Sequence, residues 1–278
     1  MSRMDFAGRT VVVTGASAGI GRQIALALAR RGCHLVLIDI DPAGLAETAA
    51  LAGKTGGGRI SQHVTDLADR CAVTALPAMV AAHHPGVDML FNVAGVALAG
   101  GFEQLAADDM EWLFSINFWG MVRMARAFLP LLRASPQGWL VNVSSVFGLI
   151  APPGNTMYAA SKYAVRGFTQ ALRHELLSSG VGVSLVFPGG VATNIARNAR
   201  QPFDRSGKRG PVQPDPFPKN LSAEEAGERI VRQVERRRAW ILVGDDVKVA
   251  FWFERLLPSS YWRLVTLNLR LGYRLSRR

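Results

Sequence analysis

The chain has 278 residues, 49% hydrophobic and 19% charged, which excludes a disordered or fibrous protein and allows one large domain or two small ones. Cys33 and Cys71 stand far apart without a Cys-x-x-Cys partner, so a disulfide framework is not expected and a reducing, cytoplasmic compartment fits. The formal net charge of +11 admits nucleic acid, an anionic membrane surface or an anionic cofactor as partner, while the absence of an apolar h-region and of any run near about 18 apolar residues argues against a secretory signal or a membrane span.

Thr10 to Thr14 reads TVVVT, a β-branched run ending at Gly15, and predicts a buried strand. From Ile20, IGRQIALALARRG gathers Ile24, Leu28 and several alanines on one face, predicting a helix with Gly32 as its C-cap. His34 to Asp39 is a second strand. The alternation continues with a helix over 42–52, a strand over 60–64, a helix over 70–82 and a strand over 88–92. A long helix over 108–133, a strand over 138–143, a helix over 158–178 and a strand over 181–187 follow. Strands that alternate with helices and are themselves nearly continuous apolar runs imply right-handed β-α-β units. The expected fold class is α/β, a Rossmann-like doubly wound parallel sheet with helices on both faces. From Thr193 to Asn220 the texture changes: five prolines and two glycines predict an irregular lid. Helical character returns over 221–238, opened by a Ser222/Glu225 capping box, and Ala239 to Val243 is a last strand. One domain over 1–246, lid included, is therefore expected to precede a basic, aromatic, amphipathic extension over 247–278.

The stretch TGASAGIG at 14–21 admits two readings. Its inner portion fits G-x-S-x-G, the turn that presents a hydrolase serine; the whole fits a glycine-rich phosphate loop. The hydrolase reading needs an acid and then a histidine in a loop after a late strand, and none of His34, His63, His83, His84 and His174 stands there. The histidines lack metal spacing as well, so no metal is expected, and they read as surface or satisfied residues. The phosphate reading fits the position, between a strand and the helix whose unpaired N–H groups and dipole attract an anion. Gly15, Gly19 and Gly21 let backbone and ligand approach, and Ser17 offers a hydroxyl to phosphate; Ile20 belongs to the same loop. Asp39 ends the second strand, 24 residues after Gly15, where a carboxylate binds adenosine ribose hydroxyls and repels a 2′-phosphate. NAD is therefore favoured over NADP, with Arg22 as the nearby cation that argues the other way.

Tyr158 and Lys162 are four residues apart, one turn of a helix, and so share a face. A phenol titrates near 10, and an adjacent ammonium favours its ionised form, which makes the pair a proton-transfer device. Ser144 and Ser145 end a strand at the sheet edge where such folds bind ligands, and one of them can hold the substrate oxygen.

On these motifs the chain resembles the short-chain dehydrogenase/reductase family over about residues 5–246: TGASAGIG, Asp66, Asn92-Val93-Ala94-Gly95, Asn117, Ser145, Tyr158-x-x-x-Lys162, and Pro188-Gly189 with Thr193. The family usually has Asn where Val93 stands. The resemblance selects Ser145, 13 residues before Tyr158, over Ser144. It implies an NAD(P)-dependent oxidoreductase that interconverts an alcohol and its carbonyl, with Tyr158 as acid/base and Ser145 orienting the reacting oxygen. Lys162 lowers the tyrosine pKa and binds the nicotinamide ribose, and Asn117 holds a water linking Lys162 to solvent. Asp66 and Leu67 lie at the adenine, Asn92, Ala94 and Gly95 along the adenosine side, and Pro188, Gly189, Val191 and Thr193 around the nicotinamide amide. The resemblance also implies a homodimer or homotetramer assembled through the two long helices.

Apolar residues near the site, among them Phe147, Leu149, Ile150, Pro152, Pro153 and Met157, predict a hydrophobic secondary alcohol or ketone, steroid-, retinoid- or lipid-like, with Ser145, Phe147, Met157 and Tyr158 against it. The tail places Trp262, Val265, Leu269 and Tyr273 on or near one helical face among arginines, which reads as a peripheral membrane element or as a helix covering the pocket or a partner subunit. A non-catalytic dinucleotide sensor or scaffold on the same fold is the alternative function; nucleic-acid binding finds no recognition motif.

Overall fold

The computed structural model describes residues 3–203, 208–210 and 221–261. Five strands alternate with helices in the first two thirds of the chain: β1 (Thr10–Thr14), β2 (His34–Asp39), β3 (Ile60–Val64), β4 (Met89–Asn92) and β5 (Trp139–Val143). They are joined by β6 (Gly182–Pro188) and β9 (Trp240–Val243) into one parallel sheet of order β3-β2-β1-β4-β5-β6-β9. A short pair, β7 (Val191–Ala192) with β8 (Leu221–Ser222), closes the base of the segment expected to form a lid. The helices are α1 (Gly19–Ala29), α2 (Pro42–Lys54), α3 (Arg70–Ala81), α4 (Ala107–Phe114), α5 (Met121–Ala134), α6 (Thr156–Glu175), α7 (Ala223–Glu235) and α8 (Asp245–Leu256).

Alternation along a strand divides the core. In β1, Val11 and Val13 point to one face and pack with α1 and α7 through Ile24, Leu28, Ile230 and Val234. Val12 points to the other, with Val73 and Leu76 of α3 and Met124 and Phe128 of α5. Both faces are buried, as the unbroken apolar runs require. Helix starts are sealed by side chains: Asp41 accepts Ala43 N–H ahead of α2, Asp69 accepts Cys71 and Ala72 N–H ahead of α3, and Ser222 accepts Glu225 N–H ahead of α7.

Two boundaries differ from the sequence reading. The long helix expected over 108–133 is divided by a π-helical turn, Ser115–Gly120, between α4 and α5. The break expected after 246 falls inside α8, whose Val247 and Ala250 join the same core cluster as Val165, Leu185 and Phe187. The covalent chain continues into the body there because the helix carries apolar residues on its inner side. The tail expectations at Trp262, Val265, Leu269 and Tyr273, and the lid over 204–207 and 211–220, lie outside the described residues. No described helix is long and apolar enough to cross a membrane.

Candidate active site

The strand order reverses between β1 and β4, and a cavity of about 670 Å³ opens there at the carboxyl ends of the strands. Thr14 fixes its floor: the hydroxyl donates to Phe91 O at 3.4 Å and accepts Val93 N–H at 3.0 Å and Ala94 N–H at 3.2 Å. Gly15 has φ +69°, and a Cβ there would lie 2.9 Å from Ala94 N and Cα, so the two loops meet only because the side chain is missing. A Cβ at Gly21 would lie 2.0 Å from Gly15 O, which brings the first turn of α1 against the loop. Unlike α2, α3 and α7, α1 starts at Ala18 with no side-chain cap, so its first-turn N–H groups face the cavity without one. This uncapped cradle fits a dinucleotide pyrophosphate. Gly15, Ser17, Gly19, Ile20 and Gly21 all line the cavity.

Asp39 lines the same cavity and is held by three backbone donors: Ser17 N–H at 3.0 Å, Ile40 N–H at 2.8 Å and Asp41 N–H at 3.1 Å. Arg22 is committed elsewhere. Its guanidinium donates to Ser17 O and pairs with Glu47 at 2.7 Å. Asp66 and Leu67 line the next stretch of wall, together with Ala94 and Gly95. Asn92 does not: it is buried beneath the loop, donating to Asn142 Oδ1 at 2.9 Å, and Asn142 passes the chain to Thr169 at 3.0 Å. Pro188, Gly189, Val191 and Thr193 form the opposite wall. There Asp246, at the start of α8, accepts Gly190 N–H at 2.9 Å.

Beyond β5 the two serines divide. Ser144 is buried and donates to Lys162 O at 2.8 Å, whereas Ser145 faces the cavity and its Oγ accepts Phe147 N–H at 3.2 Å, which leaves its own hydrogen to donate. Tyr158, in the first turn of α6, also faces the cavity, its ring edge-on to Phe147 at 5.8 Å. One turn later Lys162 is 3% exposed, with Nζ 5.7 Å from the Tyr158 ring centre and 3.4 Å from Val143 O. Burial pushes its pKa down to about 8. Asn117, in the π turn, is buried; its amide accepts Val96 N–H at 2.8 Å and donates to Val96 O at 2.9 Å and Ser161 Oγ at 3.2 Å. A Cβ on Gly95 would lie 3.2 Å from Asn117 Oδ1 and 3.3 Å from Lys162 Nζ, so these three residues converge behind the tyrosine.

Of the residues expected against substrate, Ser145, Phe147 and Tyr158 line the cavity and so does Pro153. Met157 does not. It is one residue off the Tyr158 face of α6 and packs with Leu98, Leu105 and Leu113. Leu149 and Ile150 are core residues. Of the histidines read as surface or satisfied residues, His63 and His84 are buried and share the Ser61 hydroxyl at 3.1 and 3.0 Å; His84 Nδ1 has no partner. Burial lowers the pKa of both, His84 to about 4.

Sequence reasoning missed two clamps. Arg123 donates to Leu67 O at 3.2 Å, Ala68 O at 3.3 Å and Ser115 O at 3.3 Å, tying the Asp66–Leu67 wall to the π turn. Asp109, buried on α4, pairs with Arg200 and Arg209 of the lid segment, each at 2.8 Å, and the Arg200 guanidinium lies 3.6 Å from the Trp112 ring centre. Only the excess of arginine among the lid's charges hinted at such a contact.

The sequence profile of the short chain dehydrogenase family matches residues 9–203. SadH of Mycobacterium tuberculosis, which bears the name of an oxidoreductase, is 41% identical over 266 residues, covering 94% of this chain and 95% of its own length. A short chain dehydrogenase/reductase from Burkholderia phymatum in complex with NAD superposes with a TM-score of 0.80 at 29% identity, over 91% of this chain and 94% of that one. A metagenomic short-chain oxidoreductase in complex with NADP gives 0.71 at 26% identity, over 86% and 98%.

Proposed function

The chain belongs to the short-chain dehydrogenase/reductase family, and from that premise we propose that it interconverts a hydrophobic secondary alcohol and its ketone, with NAD as hydride carrier. The observation that carries the reading is Lys162, a buried amine one helical turn from a tyrosine that faces the cavity. The nicotinamide ring, when bound, supplies the hydride acceptor or donor. Ser145 Oγ–H holds the substrate oxygen. Tyr158 Oη takes the hydroxyl proton as the alcohol carbon gives up its hydride, and returns it in reduction. The Lys162 charge favours the ionised phenol, and its burial in low dielectric strengthens that effect. The Asn117 amide spends both its hydrogens on Val96 O and Ser161 Oγ, so a proton-carrying water in this scheme donates to an Asn117 oxygen.

Support for NAD comes from Asp39 in the cavity wall and from Arg22, whose charge is matched by Glu47. Val146, Phe147, Pro153, Ile195 and Ala196 around the remaining space suit an apolar substrate. Assembly as a dimer or tetramer through α5 and α6 belongs to the same reading. The test is Tyr158→Phe. Turnover of hydrophobic alcohols, followed by absorbance of the reduced nicotinamide, falls by at least about a hundredfold, and NAD affinity by fluorescence titration stays within roughly twofold. Unchanged turnover in that variant, or no NAD binding by the parent chain, overturns the proposal; NAD binding by the parent without turnover favours the dinucleotide sensor.

A further inference from the structure

Helix α8 has two apolar sides. Val247 and Ala250 face inward onto the core, and Glu254 pairs inward with Arg166 at 3.6 Å. On the opposite side Val249, Trp252, Phe253 and Leu256 are exposed by 54%, 58%, 37% and 70%. Their spacing of three, four and seven residues sets them within an arc of about 100° on one helix face. A surface helix ordinarily shows water a polar face there, so an apolar stripe calls for an occupant. Charge narrows the choice. No Asp or Glu follows Glu254, whereas Arg255, Arg263, Arg270, Arg274, Arg277 and Arg278 do. A stripe of four side chains is also small beside the roughly 800 Å² per partner of a stable protein interface. Tryptophan and long apolar side chains bordered by arginine suit the boundary between lipid headgroups and acyl chains.

We propose that the outer face of α8 docks on an anionic lipid bilayer as a surface element, drawn there by the positive charge of the sequence that follows it. Trp252, Phe253 and Leu256 enter the headgroup–acyl boundary, and Arg255 meets lipid phosphates. The full chain is sedimented with phosphatidylcholine vesicles, with and without phosphatidylglycerol, at low and high salt. Binding is expected to the anionic vesicles, to weaken with salt, and to fall by at least about tenfold in Trp252→Ser/Leu256→Ser. NAD affinity and turnover of a water-soluble alcohol are expected to be unchanged in that variant. Leu256→Asp alone, at the most exposed position of the stripe, gives the same direction if the double variant folds poorly. The proposal is overturned if the full chain stays in the supernatant, or if either variant sediments as well as the parent. It is equally overturned if the substitutions dissolve an oligomer and leave lipid binding intact, because the stripe is then a contact between copies.

Discussion

Lys162→Met removes a charge that the fold holds at a cost, and it separates stability from catalysis. The displacement of the lysine from 10.5 to about 8 amounts to about 3 kcal/mol of unfavourable burial of the protonated form. Among the described residues no carboxylate pairs with it, and the one backbone contact, Val143 O at 3.4 Å, is at the weak end. Methionine fills a similar volume but leaves that carbonyl unmatched, at about 1 kcal/mol, so the cofactor-free variant should be about 2 kcal/mol more stable at pH 7. The sign follows from linkage. Below pH 8 the amine is protonated in both states and the penalty is complete. From about 8 up to 10.5 the folded state has released the proton while the unfolded state still binds it, so the parent gains stability as pH rises. Urea unfolding at steps between pH 7 and 10.5 should show the parent catching up with the variant. Turnover should meanwhile fall by at least about a hundredfold, because the phenol loses its cation. A variant less stable than the parent at pH 7, with the two profiles parallel from pH 8 to 10.5, would refute this account of the lysine.

Asp109→Asn should release the lid segment from α4 by about 1–2 kcal/mol, read as roughly tenfold faster hydrogen exchange at Arg200 and Ala99, whose N–H groups bond across to Ala97 O and Arg200 O. Gly167→Ala, at an exposed position in α6 with nothing within 4 Å of the new Cβ, should add about 0.5–1 kcal/mol and raise Tm by roughly 2 °C; a shift toward smaller assemblies instead would mark a close contact between copies. His84 is held below its ordinary value by burial, so the folded state resists protonation and the protein should lose stability as pH falls from 6.5 toward 4. His84→Gln should flatten that acid limb in a thermal-melt series.

The sheet was legible because parallel strands buried on both faces must be unbroken apolar runs; TVVVT, HLVLID and MLFN carry their own signal. The Tyr158–Lys162 pair was legible because four residues make one helix turn, whereas strand geometry left Ser144 and Ser145 open and only the family resemblance separated them. What escaped depends on distance in the chain. Asp109 meets Arg200 and Arg209 about a hundred residues on, and His63 meets His84 through Ser61, pairings that no local pattern encodes. Asn92 and Met157 were misplaced by a different cause: each is adjacent to a wall residue, and a neighbour on a strand end or helix points elsewhere. The break in the long helix had no proline to announce it, and Pro130 sits inside α5 without dividing it.

The turn at Ser115–Gly120 contains an extra residue for its length, and a helix advances by about 100° per residue. The segments on either side are therefore out of phase by that angle. This lets α4 aim Asp109 at the lid arginines while α5 turns Met124 and Phe128 onto the sheet. Excising any one residue of the turn would restore an ordinary spiral and swing one half away from its target. Trp119, the exposed residue of the stretch, should thus accept substitution, whereas Asn117 and any shortening should not, since the length of the turn sets the aim of both halves.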